Sequence, residues 1–525
     1  MICLTLQAWR SWVLLASYDQ GIFQQVLWNS LHGHWFESTL SSQLSTNVEH
    51  AGELPSVDYE RLGQHFTPTL LLWAPLLGLI GGTALPVVQV GLITAAGLVL
   101  HHLAVQRLPQ RTANWLVIGY FAVNALIGPT LGNFTDLCQL PLAVFVLMLG
   151  LLEQRAGLTL LVSSLIPLIR EDTGVLLVAV GAWVLVRQRH RWPLALALIS
   201  WGGGWVLLCT NVLMPLFSDD NAKRFMVENF GQYLGNDQTN SSSSSFEVLR
   251  QAVSQPLLLL QQLVHPPGET LRYLLGHSLP FLFVPLISLD TWLLAGPSLL
   301  GLFLAQGANN ALSITIRYTL LVVPGFALGT LFWWQRRHHH QQLGPRVRLA
   351  WGAAISLSLL LTMTSNPHRS LSFLIPASVQ PWVHSSPAEQ WRHGAAARHA
   401  LDVIPFQASV AANSPLVPLL ARRSVVVRFP FNTGYLARNG RPQDVDWVAV
   451  DLDLLERYGA AFPGDWRQLR NSRAWIAEHR TTYPVQAIAD GVVVMQREGK
   501  RQTNVEAQLD QLLIQPMPIK PRRRS

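Results

Sequence analysis

The sequence has little charge and little cysteine. Only 13% of its 525 residues are Asp, Glu, Lys or Arg, whereas half are hydrophobic and tryptophan occurs 19 times. Soluble domains carry about a quarter charged residues, so a coat this sparse argues against an ordinary soluble protein. The three cysteines, Cys3, Cys138 and Cys209, lie in or beside apolar runs and form no CxxC pair. That excludes a disulfide framework and a cysteine zinc site. The basic excess, 38 Lys and Arg against 30 Asp and Glu, sits in short clusters next to apolar runs and is not interleaved with aromatics. It reads as membrane topology, with membrane lipid as the partner and nucleic acid excluded. The N-terminus lacks the small-residue cleavage site of a secretory signal.

Apolar runs recur through the first 365 residues, at about 68–105, 115–132, 137–152, 157–169, 174–186, 193–216, 271–289, 291–306, 313–334 and 348–364. A bilayer core needs about 20 helical residues. Several runs fall short of that, which predicts tilted, broken or partly buried helices. Residues 1–17 form a barely adequate first span carrying Arg10, or the remainder of a longer helix. Alternation then puts Arg107 and Arg111, Arg155, Arg187 to Arg191 and Arg336 to Arg348 on the cytoplasmic side, provided that 68–105 crosses an odd number of times. The loop 18–67, the turns at 133–136 and 170–172 and the loop 218–270 face outward. The serine run Ser241 to Ser245 reads as a flexible excursion.

Beyond residue 366 the charge rises, and short β-like runs appear at 408–412, 424–429, 447–452 and 491–495, separated by helix-like segments. The expected architecture is an α-helical polytopic membrane protein of about 11 spans with a C-terminal extracytoplasmic α/β domain. Its parts are a first helix at 1–17, an external loop at 18–67, a multi-span domain at 68–365, the α/β domain at 366–510 and a basic, disordered tail at 511–525.

Asp19 stands in SYDQGIFQQ, where the first apolar run stops, and is either a helix-boundary carboxylate or a site residue. The fifty-residue loop that it opens returns to the membrane at Gly63-Gln64-His65-Phe66-Thr67-Pro68, and a loop of that length resembles a site more than a connector. In Arg170-Glu171-Asp172, three ionisable residues stand between two apolar half-spans. Arg170 is suited to gripping phosphate oxygens, with Glu171 and Asp172 orienting it or a metal. Solvated turn residues are the plain alternative. Arg317 is a second candidate cation, ranked above Asp136, although a snorkelling arginine would look the same. His65 could bond a sugar or phosphate, or cap the helix that follows. No cofactor is evident, and no spacing identifies a divalent cation site. His338 to His340 read as part of a basic connector. Gly202 to Gly204 permit close helix approach or a kink and do not form a phosphate loop.

The stretches SYDQGIFQQVLWNSLHG, LGQHFTPTLLLWAPL and LIREDTGVLLVAVGAWVLVRQRHR resemble three characteristic segments of a family of bacterial polytopic membrane proteins, domain of unknown function 2079. Its pattern runs approximately YDLGIFDQALWN, then HFSP, then a basic residue followed by ED. Two departures stand out: Gln24 replaces a frequent aspartate, and Phe134-Thr135-Asp136-Leu137-Cys138 lacks the histidine of an FDFHP-like turn.

That family is similar in layout to the GT-C glycosyltransferases, which move a sugar from a polyprenyl-phosphate carrier to an acceptor on the outer face of the membrane. The resemblance implies a bacterial inner-membrane location and a general-base or acceptor-orienting role for Asp19. His65, Arg170, Glu171, Asp172 and Arg317 would serve the polyprenyl-phosphate-linked sugar. The rival expectations are a transporter or flippase of a lipid-linked glycan, and a non-catalytic membrane scaffold.

Overall fold

The computed structural model describes residues 1–220, 230, 250, 253–305, 312–338, 343–365, 369–378 and 381–521. Ser241 to Ser245, most of the loop 218–270, His339, His340 and the last four residues of the basic tail lie outside the described residues. The chain forms two compact units. The first comprises Met1–Arg61, Trp73–Leu85 and Asn366–Ser525, and the second Leu62–Leu72 and Pro86–Ser365.

The first unit is built on a five-stranded sheet. Its strands are β1 (Val410–Ala412), β2 (Val426–Arg428), β5 (Trp447–Asp451), β6 (Val485–Ala489) and β7 (Val492–Gln496), in the order β2-β1-β5-β7-β6; β3 (Gly434–Leu436) and β4 (Pro442–Asp444) form a separate hairpin. β1 pairs in parallel with both β2 and β5, and β7 runs antiparallel to β5 and β6. Val427, Val448, Val450, Val493 and Met495 meet Leu455, Leu469 and Ile476 in a closed core, which explains why these strands are Val-rich runs without polar alternation. The β-like runs in the sequence contain β1, β2 and β5 and all of β7 but its last residue. β4, Pro-Gln-Asp, escapes such a reading because it is exposed throughout and carries no β-branched or aromatic residue. The helix Thr503–Ile514 continues past residue 511, and Trp466 donates to the Pro518 carbonyl at 2.8 Å. Part of the segment read as a tail is therefore packed.

The N-terminal segment covers the open edge of this sheet. Thr39 Oγ1 donates to the Val426 carbonyl at 2.6 Å and accepts from the Val426 N–H at 3.1 Å. Two residues along the strand, Gln43 Oε1 accepts from the Arg428 N–H at 2.6 Å, and Gln43 Nε2 donates to the Arg428 carbonyl at 3.1 Å. Side chains thus satisfy the β2 groups that a further strand would have paired, which blunts an aggregation-prone edge. Thr39→Val keeps the shape and orphans a buried donor and acceptor. It is expected to destabilise the first unit by about 2 kcal/mol; an unchanged Tm of the full chain would show that this edge pairing carries no stability.

Residues 18–67, read from sequence as an external loop, open with a helix, Tyr18–Leu31, most of which is buried. Gln25 is its hub. Its Nε2 donates to Thr39 Oγ1 at 2.9 Å and to the Arg423 and Ser424 carbonyls at 3.2 Å, and its Oε1 accepts from Ser38 Oγ at 2.8 Å and Leu40 N at 3.1 Å. A Cβ at Gly21 would run into Val417, so glycine at this position lets the helix lie directly against the C-terminal segment. Residues 1–17 contain the helix Ile2–Trp12. Its 11 residues span about 16 Å, against the roughly 30 Å of a hydrocarbon core. Trp12 stacks on Trp391 with centroids 4.6 Å apart.

The second unit is helical. Pro68–Val105, which begins in it, and Arg189–Leu216 and Pro345–Thr364 within it make 3 helices long and apolar enough to cross a membrane, and a pair bent by 43°, Gln110–Ala122 with Asn124–Leu131, raises the count to 4. Asp136–Leu152, Ala156–Leu168, Gly174–Arg187 and Leu289–Leu304 are apolar but shorter. Length and apolarity among the described residues therefore stop short of the 11 spans read from hydropathy. Runs such as 157–169 and 174–186 are interrupted by turns before they reach about 20 residues. Gly202 meets the backbone of Gly174 so closely that a Cβ on either would clash, which gives the glycine run its task in helix approach.

Candidate functional site

The turn joining Ala156–Leu168 to Gly174–Arg187 is closed by Thr173, whose Oγ1 donates to the carbonyls of Ile166 at 2.5 Å and Arg170 at 2.8 Å. This closure folds the charged triplet inward. Arg170 is 2% exposed and Glu171 3%, so the solvated-turn alternative does not describe either residue. Burying a guanidinium requires partners. Arg170 Nε donates to Asp172 Oδ1 at 2.7 Å and its Nη2 donates to Oδ2, a bidentate clasp.

A second element adds a cation. Arg317 opens the short 3-10 helix Arg317–Leu321, which is anchored where Thr319 Oγ1 donates to the Ala125 carbonyl at 2.5 Å. The guanidinium carbons of Arg170 and Arg317 lie 5.4 and 5.5 Å from the ring centroid of Tyr318, within cation–π range.

A third element brings an imidazole. His65 Nδ1 lies 2.9 Å from Glu171 Oε1, and the Phe66 N–H donates to Oε2 at 3.0 Å. Burial pushes the Glu171 carboxyl up to about 7; the Arg170 charge pulls it down, and Asp136 adds to the rise. The carboxyl is therefore poised near neutrality, as functional carboxyls often are. Arg170 is held above its ordinary value: burial opposes its charge, and Asp172, Asp136 and Glu171 outweigh burial.

Asp136 completes the set. It begins the turn Asp136–Gln139 and is 2% exposed. Its Oδ1 accepts from Thr135 Oγ1 and the Leu137 N–H, both at 3.0 Å. Buried Gln89 fixes the preceding loop by accepting from Thr135 N at 2.9 Å and donating to the carbonyls of Pro129, Thr130 and Asn133 at 3.0, 3.2 and 3.3 Å.

The fold thus gathers His65, Arg170, Glu171, Asp172 and Arg317 from three stretches of sequence into one unit. Asp19 belongs to the other unit. It sits half-buried in the first turn of Tyr18–Leu31, where the helix dipole favours a carboxylate. Sequence reasoning missed Tyr318 and Gln89 and ranked Asp136 low. Tyr318 had a signal in its adjacency to Arg317; Gln89, one polar residue in a long apolar run, was a second. Among the described residues, no group of three or more His, Cys, Asp or Glu is arranged to hold a metal ion.

A family model described as "Predicted membrane protein (DUF2079)" matches residues 10–494. The chain belongs to the DUF2079 family. The match runs through both units and includes all three stretches that carry the resemblance. No curated protein and no solved structure matches the chain. Membership in DUF2079 establishes a membrane protein with apolar helices and a small C-terminal sheet, and it brings no activity with it.

Proposed function

We propose that this DUF2079 protein is a GT-C-like glycosyltransferase that moves a sugar from a polyprenyl-phosphate carrier to an acceptor outside the bacterial inner membrane. In this reading the apolar runs of the sequence make about eleven crossings, some through helices too short to span a bilayer alone, and the C-terminal α/β domain is extracytoplasmic. The supporting observation is the pair of arginines on Tyr318, one of them buried, beside a buried Glu171 held by His65. Transfer from a carrier phosphate requires a fixed positive charge where the leaving phosphate gains charge, in surroundings poor in water. Arg170 and Arg317 meet that requirement, and His65 is placed to hydrogen-bond the sugar or phosphate. A carboxylate must also take the acceptor's proton.

The second reading, a flippase for the same lipid-linked sugar, draws on the 43° break between Gln110–Ala122 and Asn124–Leu131, since broken spans are frequent in transporters. Lipid and glycan mass spectrometry on membranes of a deletion strain tests the requirement that both readings share, and turnover of the donor by the purified chain in nanodiscs, which a flippase would not show, separates the two. The transferase predicts that a polyprenyl-phosphate monosaccharide accumulates and that one glycan loses that sugar. Both are reversed by the wild-type chain and, at about 10- to 100-fold lower efficiency, by Arg317→Gln, which removes one charge-assisted contact. Unchanged lipids and glycans in the deletion strain would end the transferase reading.

A further inference from the structure

Asp136 has a carboxylate oxygen that the fold leaves unused. Its Oδ1 is committed to Thr135 and Leu137, whereas its Oδ2 is buried and accepts no hydrogen bond among the described residues. A buried carboxylate oxygen without a donor carries an uncompensated desolvation cost, and nothing in the local fold compels it. The turn is not slack: Gln89 binds four backbone groups of the preceding loop, and Thr135 caps the turn, so the carboxylate is held in place. Its surroundings are those of the candidate site: the turn Asp136–Gln139 packs against Arg317–Leu321, the element that carries Arg317 and Tyr318, and the Asp136 charge is felt by both Arg170 and Glu171. The other carboxyls there are occupied. Glu171 is bonded through both oxygens and Asp172 through both of its own.

We infer that Asp136 Oδ2 is the general base of the transfer, receiving the proton of the acceptor hydroxyl; the inference rests on the transferase reading above. The acceptor is accordingly an alcohol, such as a sugar or polyol hydroxyl. As its oxygen bonds to the anomeric carbon, the bond from that carbon to the carrier phosphate oxygen breaks. The electron pair passes to the phosphate, where Arg170 and Arg317 stabilise it, and the hydroxyl proton passes to Oδ2. The products are a glycoside and the free polyprenyl phosphate, with no further reactant. Asp19 then has a structural role at the start of its helix.

The test uses the full chain in nanodiscs with two probes. Binding of a polyprenyl monophosphate reports the phosphate site. Turnover of polyprenyl-phosphate sugars extracted from the deletion strain, with delipidated envelope glycan as acceptor, reports the chemistry. Asp136→Asn is expected to bind the monophosphate like wild type and to lose turnover by about 1,000-fold. Turnover by Asp136→Asn within tenfold of wild type overturns the inference and leaves the transferase reading intact. Loss of monophosphate binding in both Asp136→Asn and Asp136→Glu also overturns it, making Asp136 a structural residue. Wild-type protein that neither binds the monophosphate nor turns over donor overturns both.

Discussion

Asp290→Ala is expected to destabilise the helical unit by about 3 kcal/mol. Asp290 stands in the first turn of Leu289–Leu304 and is fully buried. It accepts from Arg187 Nε at 2.7 Å and Nη2 at 3.2 Å, from Trp183 Nε1 at 2.9 Å, and from Arg336. One carboxylate therefore ties Gly174–Arg187 and Val323–His338 to the start of a third helix. Removing it strands a buried indole N–H and two guanidiniums. Arg187 is 29% exposed and Arg336 44%, so both can turn toward water, and the loss falls at the lower end of that for a broken buried pair. Thermal unfolding of the full chain in nanodiscs measures it. If the carboxylate is a shared clamp, Arg187→Ala made in the Asp290→Ala background costs far less than in wild type. Additive losses would mean that the three helices are held by apolar packing alone.

Clamps of this kind explain what the sequence could and could not tell. The turn Arg170-Glu171-Asp172 was legible because three ionisable residues between apolar half-spans are costly wherever they lie, so they needed partners. The partners were harder to foresee. His65 lies about a hundred residues away from Glu171, and the ring that collects Arg170 and Arg317 depends on how a short 3-10 turn packs. Asp136 looked like a weak candidate because its interest lies in burial and in one unsatisfied oxygen, and neither is a property of local sequence. Asp19 drew attention for the opposite reason. A carboxylate at the end of an apolar run is conspicuous in one dimension, yet in three it opens a helix in which Gln25 is bonded to carbonyls of Arg423 and Ser424 near the other end of the chain. Hydropathy counts runs, and the turns that break them fall where backbone and side-chain bonds such as those of Thr173 allow.

The second large effect is a pH dependence seated in the α/β unit. His393, on the helix Pro387–Leu401, is buried with Nε2 2.8 Å from Asp451 Oδ2 and Nδ1 3.0 Å from Asp490 Oδ2; Asp453 lies 3.7 Å away and is itself paired with Arg457. Burial alone would lower the imidazole, but Asp451, Asp453 and Asp490 more than offset it and raise the group to about 9. The folded value exceeds the ordinary value of about 6.5. The stabilisation is therefore fully present below pH 6.5 and is lost as pH rises through about 9. A shift of that size corresponds to stability on the order of 3 kcal/mol. The same helix carries Trp391 and Arg398, which hold Trp12, so the N-terminal segment should loosen along with it. Pulse proteolysis of the full chain in nanodiscs at pH 6, 7.5 and 9 reads the effect. Wild type is expected to lose protection of the α/β unit stepwise, while His393→Gln starts lower and stays flat. Parallel losses in the two proteins would assign the pH dependence to other groups, and a wild type that gains protection toward pH 9 would reverse the sign derived from the paired imidazolium.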